Sequence, residues 1–336
     1  MTSISETPIF RPANANDISA ILKITSKADS GLTTVPKTKS DVSDYVAESL
    51  DFLAGKDGAN RLLFVAETQA GKILGISGII PKLGVDRPFY SFKRSRHARK
   101  ASQQDLSVRY DTLQLTTDFD DYTELASIFL APEARGKGVG RLLSLGRLGY
   151  IHASRARFED RLMADIRGWV DAKGVSPFWK HLTSKFIQTD FDEADRLSSG
   201  DAAFLIELLP GLPIMLNLLP ESVAETAGRP HDLSAGAMGL LCEAGFEDTD
   251  LCDIFDGGPA IRCNTDRTLV TQSAFRATGG GVTEGETLFL HFTGEGESFR
   301  AVMGPAYPKA QKAGRDACEL LGTITPMVAL AQNRRT

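Results

Sequence analysis

Residues 128–143 read IFLAPEARGKGVGRLL: an apolar run, a proline, then three alternating glycines among cations before apolar residues resume. This strand-to-helix junction presents Arg135, Gly136, Lys137, Gly138, Val139, Gly140 and Arg141 in series. Glycine lets backbone N–H groups turn towards a ligand with no Cβ in the way. The first turn of a helix holds unpaired N–H donors and a partial positive charge, a combination suited to phosphate. The stretch is neither GxxxxGK[ST] nor GxGxxG, because its glycines fall at 136, 138 and 140. Core packing accounts for Val139 but not for the alternation.

Working outward, "IFRPANANDISAIL" predicts a strand, a turn and a helix capped by Asp17, and a second helix ends at Gly55. Leu62–Glu67 and Ile73–Ile80 predict a hairpin around Ala70-Gly71. Residues 81–122 are polar, basic and weakly periodic, and read as an insertion. Beyond the junction come a helix, a strand in "RLMADIRGWV", a helix opened by Ser176-Pro177, a strand near Phe186 and another in "AFLIELLP". "SAGAMGLLCEAGF" predicts a helix stopped by Gly245, and short β runs separated by glycines follow residue 264. The fold class is therefore α+β: a mixed, mostly antiparallel sheet flanked by helices over residues 8–263, with a small all-β module over 264–336.

The 336 residues are 42% hydrophobic and 24% charged, which places the chain among globular proteins. A net charge of −5 gives no general attraction to nucleic acid. "FKRSRHARK" (92–100) is a local basic exception, read as a solvated loop or an oligomer contact. No apolar stretch reaches membrane-spanning length, and the first residues lack a secretory pattern. Four cysteines without a CxxC read as reduced thiols and not as a metal site, so a cytoplasmic location is expected.

Arg-x-x-Gly-x-Gly after a strand resembles the acyl-CoA pyrophosphate loop of the GNAT N-acyltransferase superfamily. The order of elements around it agrees over about half of the chain. "GLTTVP", "SPFW", "GRPHD", "IELLP" and "DIFDGGP" narrow the resemblance to the arginine N-succinyltransferase family. The resemblance implies succinyl-CoA as co-substrate, no permanently bound cofactor, L-arginine as acceptor and a self-assembled oligomer or one with a related subunit. Ornithine as acceptor, another acyl donor, or a non-catalytic CoA-binding subunit remain as alternatives.

It also implies site residues. His231 in "GRPHD" matches the family's proton donor, with Asp232 placed to fix its tautomer if the backbone folds back. Glu124, at the start of the strand leading to the loop, is a candidate base, since an amine attacks a thioester only when neutral. The backbone of Ile128 and Leu130, near the point where that strand splays, would meet the pantetheine arm, and residues 135–141 its diphosphate. Gly31, Leu32 and Thr33 lie where acceptors approach. A guanidinium needs a carboxylate, and Asp256 is chosen over Asp253 and Glu207. His97, His152, His181 and His291 are read as structural, and Phe178 and Trp179 as core.

Overall fold

The computed structural model describes residues 7–28, 32, 34–103, 105–188, 190–191, 194, 207–282, 288–323 and 325–331. Its first half runs β1 (Ile9–Pro12), α1 (Ile18–Thr25), α2 (Lys39–Leu53), β2 (Leu62–Glu67), β3 (Ile73–Ile80), β4 (Ser91–Lys100), β5 (Ser107–Thr116), β6 (Thr123–Leu130), α3 (Val139–Ala153), β7 (Arg161–Asp165) and α4 (Pro177–His181). The second half adds β8 (Ile214–Met215), α5 (Glu221–Thr226), α6 (Ala235–Glu243), β9 (Glu247–Cys252), β10 (Pro259–Asn264), α7 (Leu269–Ser273) and β11 (Phe275–Arg276). It closes with β12 (Thr278–Val282), β13 (Leu288–Thr293), β14 (Arg300–Tyr307), β15 (Lys312–Gly314), α8 (Arg315–Leu321) and β16 (Met327–Leu330).

One twisted sheet carries these strands in the order β11-β16-β13-β14-β1-β2-β3-β6-β7-β10-β9-β4-β5-β8, with β12 and β15 paired beside β14. Pairing along that order is antiparallel except between β6 and β7. This is the mixed sheet that the sequence predicts. The strands after residue 264 join it directly, because β14 pairs with β1 through Phe10 and Ala301.

Helix α3 lies on one face. Its Leu142, Leu143, Leu145 and Leu148 are almost wholly buried against Phe64, Ile79, Leu125 and Leu162. Each buried leucine is worth roughly 2 kcal/mol, which holds the start of the helix in place. Helices α1 and α2 cover the other face, where Ile21, Val42, Tyr45 and Val46 pack on Leu63, Val65, Ile76 and Phe129. The alternation of β2 and β6 explains this division, since successive side chains point to opposite faces.

Several local expectations are corrected. Asp17 makes no side-chain cap on α1; its carboxylate instead takes Arg11 and the Asn14 N–H. No strand forms near Phe186, where a short 3₁₀ turn (Thr183–Lys185) leads out of α4. Of "AFLIELLP", residues 203–206 lie outside the described residues. The basic stretch is strand β4 and not a loop. It pairs with β5 along its whole length and with β9 at Phe92 and Lys93. Its cations are partly matched, Lys93 by Asp118 and Arg94 by Asp111. Apart from these, Ser176 caps α4 through its Oγ as the Ser-Pro signal predicts, and Phe178 and Trp179 are buried.

Candidate active site

The site is set by where β6 parts from its neighbour. On one side β6 pairs with β3 from Glu124 to Leu130. On the other it pairs with parallel β7 only at Thr123–Leu162 and Glu124–Met163. From Leu125 onward that side pairs with no strand among the described residues, so the sheet opens into a V. The sequence reading put the splay near Leu130; it begins at Leu125.

A bulge causes the divergence. Between Gly78–Ala126 and Ile76–Phe129, β6 contains one residue more than β3. Ser127 takes up the excess at φ 54°, a conformation that costs a non-glycine residue roughly 1 kcal/mol. Three contacts hold it. The Ser127 N–H donates to Thr34 Oγ1 at 3.0 Å, its hydroxyl to the Thr34 carbonyl at 2.7 Å, and Tyr45 Oη lies 3.1 Å from its Oγ. Gly78 makes room for this: a Cβ there would lie 2.2 Å from Tyr45 Oη. Tyr45, Thr34 and Ser127 were not selected from the sequence, because nothing local marks residues 82 and 93 positions apart as partners.

At the wide end of the V stands the glycine junction. Gly136 and Gly138 have φ of 73° and 78°, and a Cβ on either would meet nothing within 4 Å. These glycines therefore serve backbone direction and open space, not close packing. Gly138 precedes α3 and no side chain caps the helix, so its first-turn N–H groups face outward. Arg135 and Lys137 are exposed beside them. Arg141 differs: its guanidinium binds Glu243 at 2.9 Å and the Ala331 carbonyl, so only its backbone points to the junction. Ile128 and Leu130 are partly buried with side chains packed on the core, leaving main-chain groups to line the cleft.

At the narrow end lies Glu124, 4% exposed and with no hydrogen bond from a described residue. Burial pushes its carboxyl up to about 7, against the pull of Arg147 and Arg61. Arg147, itself 1% exposed, reaches from α3 to the carbonyls of Gly78 and Ala126. A carboxyl near 7 is suited to proton transfer at neutral pH.

Where β7 ends, the chain continues to Arg167 and Gly168, and these residues hang two further groups beside the V. The His231 N–H donates to the Arg167 carbonyl at 2.8 Å. Its Nδ1 accepts the Leu233 N–H at 3.1 Å, so the neutral ring carries its proton on Nε2. The Leu233 N–H thus sets that tautomer, and Asp232 is exposed. Asp256 accepts the N–H groups of Gly168 at 2.7 Å and Gly258 at 2.8 Å, tying the β9–β10 turn to β7. Burial and the neighbouring Asp253 push Asp256 up to about 8. Of the acceptor loop, Leu32 packs beneath α1 and α2, while Gly31 and Thr33 lie outside the described residues. Glu207 is exposed. The described residues contain no group of His, Cys, Asp or Glu able to hold a metal ion, and no helix long and apolar enough to cross a membrane.

The profile of the arginine N-succinyltransferase beta subunit family matches residues 8–270. Arginine N-succinyltransferase of Escherichia coli O17:K52:H18 is 32% identical over 263 residues, covering 77% of this chain and 76% of that protein. The enzyme of that name from strain K12 gives the same values. Arginine/ornithine succinyltransferase subunit AI of Pseudomonas aeruginosa superimposes with a TM-score of 0.85 at 25% identity, covering 98% of this chain and all of the other. The glycine junction, the splayed β6 and the "DIFDGGP" turn all fall within the matched region, and the chain belongs to the arginine N-succinyltransferase family.

Proposed function

We propose that the chain transfers a succinyl group from succinyl-CoA to the α-amine of L-arginine, giving N2-succinylarginine and free CoA. The observation that carries this reading is the pairing, on one strand, of an outward-facing N–H cradle at one end with a buried, near-neutral carboxyl at the other. The cradle takes the diphosphate, and the opened edge of β6 from Leu125 to Leu130 pairs with the pantetheine arm, as an added strand would. That places the thioester over the bulge, within the V.

Glu124 removes the proton from the acceptor's amine, and the amine nitrogen attacks the thioester carbonyl. The C–N bond forms, the C–S bond breaks, and the thiolate takes up the proton that Glu124 removed from the amine, with His231 as the candidate that carries it across. Holding both substrates in the cleft supplies orientation. Arginine as acceptor and succinyl-CoA as donor follow the family. Ornithine is the second reading, favoured by the arginine/ornithine name of the Pseudomonas aeruginosa relative. We further assign the chain to the cytoplasm and to an oligomer, of itself or with a related subunit.

The test follows free thiol from purified protein given succinyl-CoA or acetyl-CoA with arginine or ornithine. Release with succinyl-CoA and arginine is expected. Release with ornithine alone overturns the acceptor, and CoA binding without release for any pair makes the chain a CoA-binding subunit.

A further inference from the structure

We infer that Asp165, at the end of β7, is the specificity residue that holds the side-chain cation of the acceptor; this rests on the amine-acceptor reading above. Asp165 lies on the same face of the sheet as Glu124, because Glu124 stands opposite Met163 and Asp165 is two residues further along. Two strand residues span about 7 Å, and β7 diverges from β6 over that distance. One carboxyl thus sits at the crotch of the V and another on its diverging arm. A basic amino acid has the matching form, with an amine at one end and a cation several bonds away.

Two observations point to a missing cation. The Oδ1 atom of Asp165 is buried and has no hydrogen-bond partner among the described residues. The charged groups that act on it are Asp253, Glu124 and Asp256, all acidic. Buried charge is tolerated when it is paired, and nothing basic in the described chain performs that role for Asp165. Glu124, equally without a side-chain hydrogen bond among the described residues, is one of these neighbours. Asp256 contributes differently. Its two oxygens already accept backbone N–H groups, so it holds the turn in place. Asp253 does similar work, its Oδ1 accepting from Phe255 and Asp256. Asp165 is left as the carboxylate with an oxygen to offer, and a guanidinium or ammonium takes it by charge-assisted hydrogen bonds.

The test measures equilibrium binding by calorimetry, with CoA saturating, of L-arginine and of L-citrulline, whose neutral urea replaces the guanidinium at the same length. The wild type is expected to bind arginine on the order of 10–100-fold more tightly than citrulline, the range for hydrogen bonds to charged groups. Asp165→Asn should lose most of that preference and leave citrulline binding within about threefold. Asp165→Glu, which keeps the charge, should retain part of it, a result that a purely structural role does not produce. Equal loss for both ligands, or an unchanged preference in Asp165→Asn, overturns the inference. Because binding is read and not turnover, absence of thiol release by the wild type would count against the proposed reaction alone.

Discussion

The two ends of β6 handle charge by opposite means. At its C-terminal end, Gly136 to Arg141 present main-chain N–H donors with Arg135 and Lys137 exposed beside them. Beside its N-terminal end, Glu124, Asp165, Asp253 and Asp256 come from β6, β7 and the β9–β10 turn into a largely buried acidic cluster. The first site is continuous in sequence and needs only the local turn to exist. The second is assembled from three places in the chain and exists only once the sheet has splayed. In the proposed reaction the contrast suits the two substrates: a bulky, strongly charged diphosphate would meet backbone at the surface, and an amine that must be deprotonated would meet carboxyls whose burial raises their proton affinity.

The largest expected effect breaks the acidic end. Glu124→Gln should lower turnover about 10²–10⁴-fold. In the wild type, kcat/KM should rise with pH up to about 7 and then level, because only the ionised Glu124 accepts a proton. Arg147, which opposes the effect of burial, is itself lowered by burial only to about 10 and stays charged over that range. A pH–rate profile of the variant that keeps the rise would place the base elsewhere.

Next, Gly138→Val tests the anion end. Forcing a β-branched residue to φ 78° costs roughly 1–2 kcal/mol, so the KM for the acyl-CoA should rise about tenfold while arginine binding is unchanged. If both constants moved together, the two ends would not be separable sites.

A smaller effect concerns stability. The carboxyl of Asp165 is raised by burial and by its acidic neighbours, so the folded state binds its proton more tightly than the unfolded chain does. The stability it contributes is present at low pH and lost as pH rises. Asp165→Asn should therefore lose activity yet melt a few degrees higher than wild type at pH 8, with the gap closing towards pH 4. A variant less stable at both pH values would make Asp165 a structural group.

The smallest effect is expected at Arg141→Ala. Removing its bonds to Glu243 and Ala331 should lower stability by about 1 kcal/mol, read as a shift in Tm, with the KM for acyl-CoA unaffected. A tenfold KM change would show that the guanidinium, and not the backbone, serves the cofactor.

Legibility in the sequence follows the same division. The β2–β3 hairpin has the limits that its β-rich runs predict, and α4 begins where Ser176-Pro177 says it should. Glu124 was selected by its place on a strand, and His231 by a motif. The β4–β5 hairpin was missed, since a polar, basic strand exposed along much of its length shows little hydrophobic period. Asp17 misled for another reason: an acidic residue before a helix reads as a cap, but Arg11 competes for it. Asp165 gave no signal, being one acidic residue at the end of an otherwise apolar strand.

What this sequence determined alone was the chemistry that neighbouring residues impose on each other. Glycines 136 and 138 set the backbone of the junction, and short β-rich runs set the strands, because turn and pleat depend on dihedral angles a few residues apart. Only the tertiary structure decided that β6 bulges at Ser127 under the hold of Thr34 and Tyr45, and that β7 consequently parts from it. That opening brings together carboxyls far apart in the chain, and their proton affinities come from burial and mutual repulsion, quantities that have no value until the fold is complete.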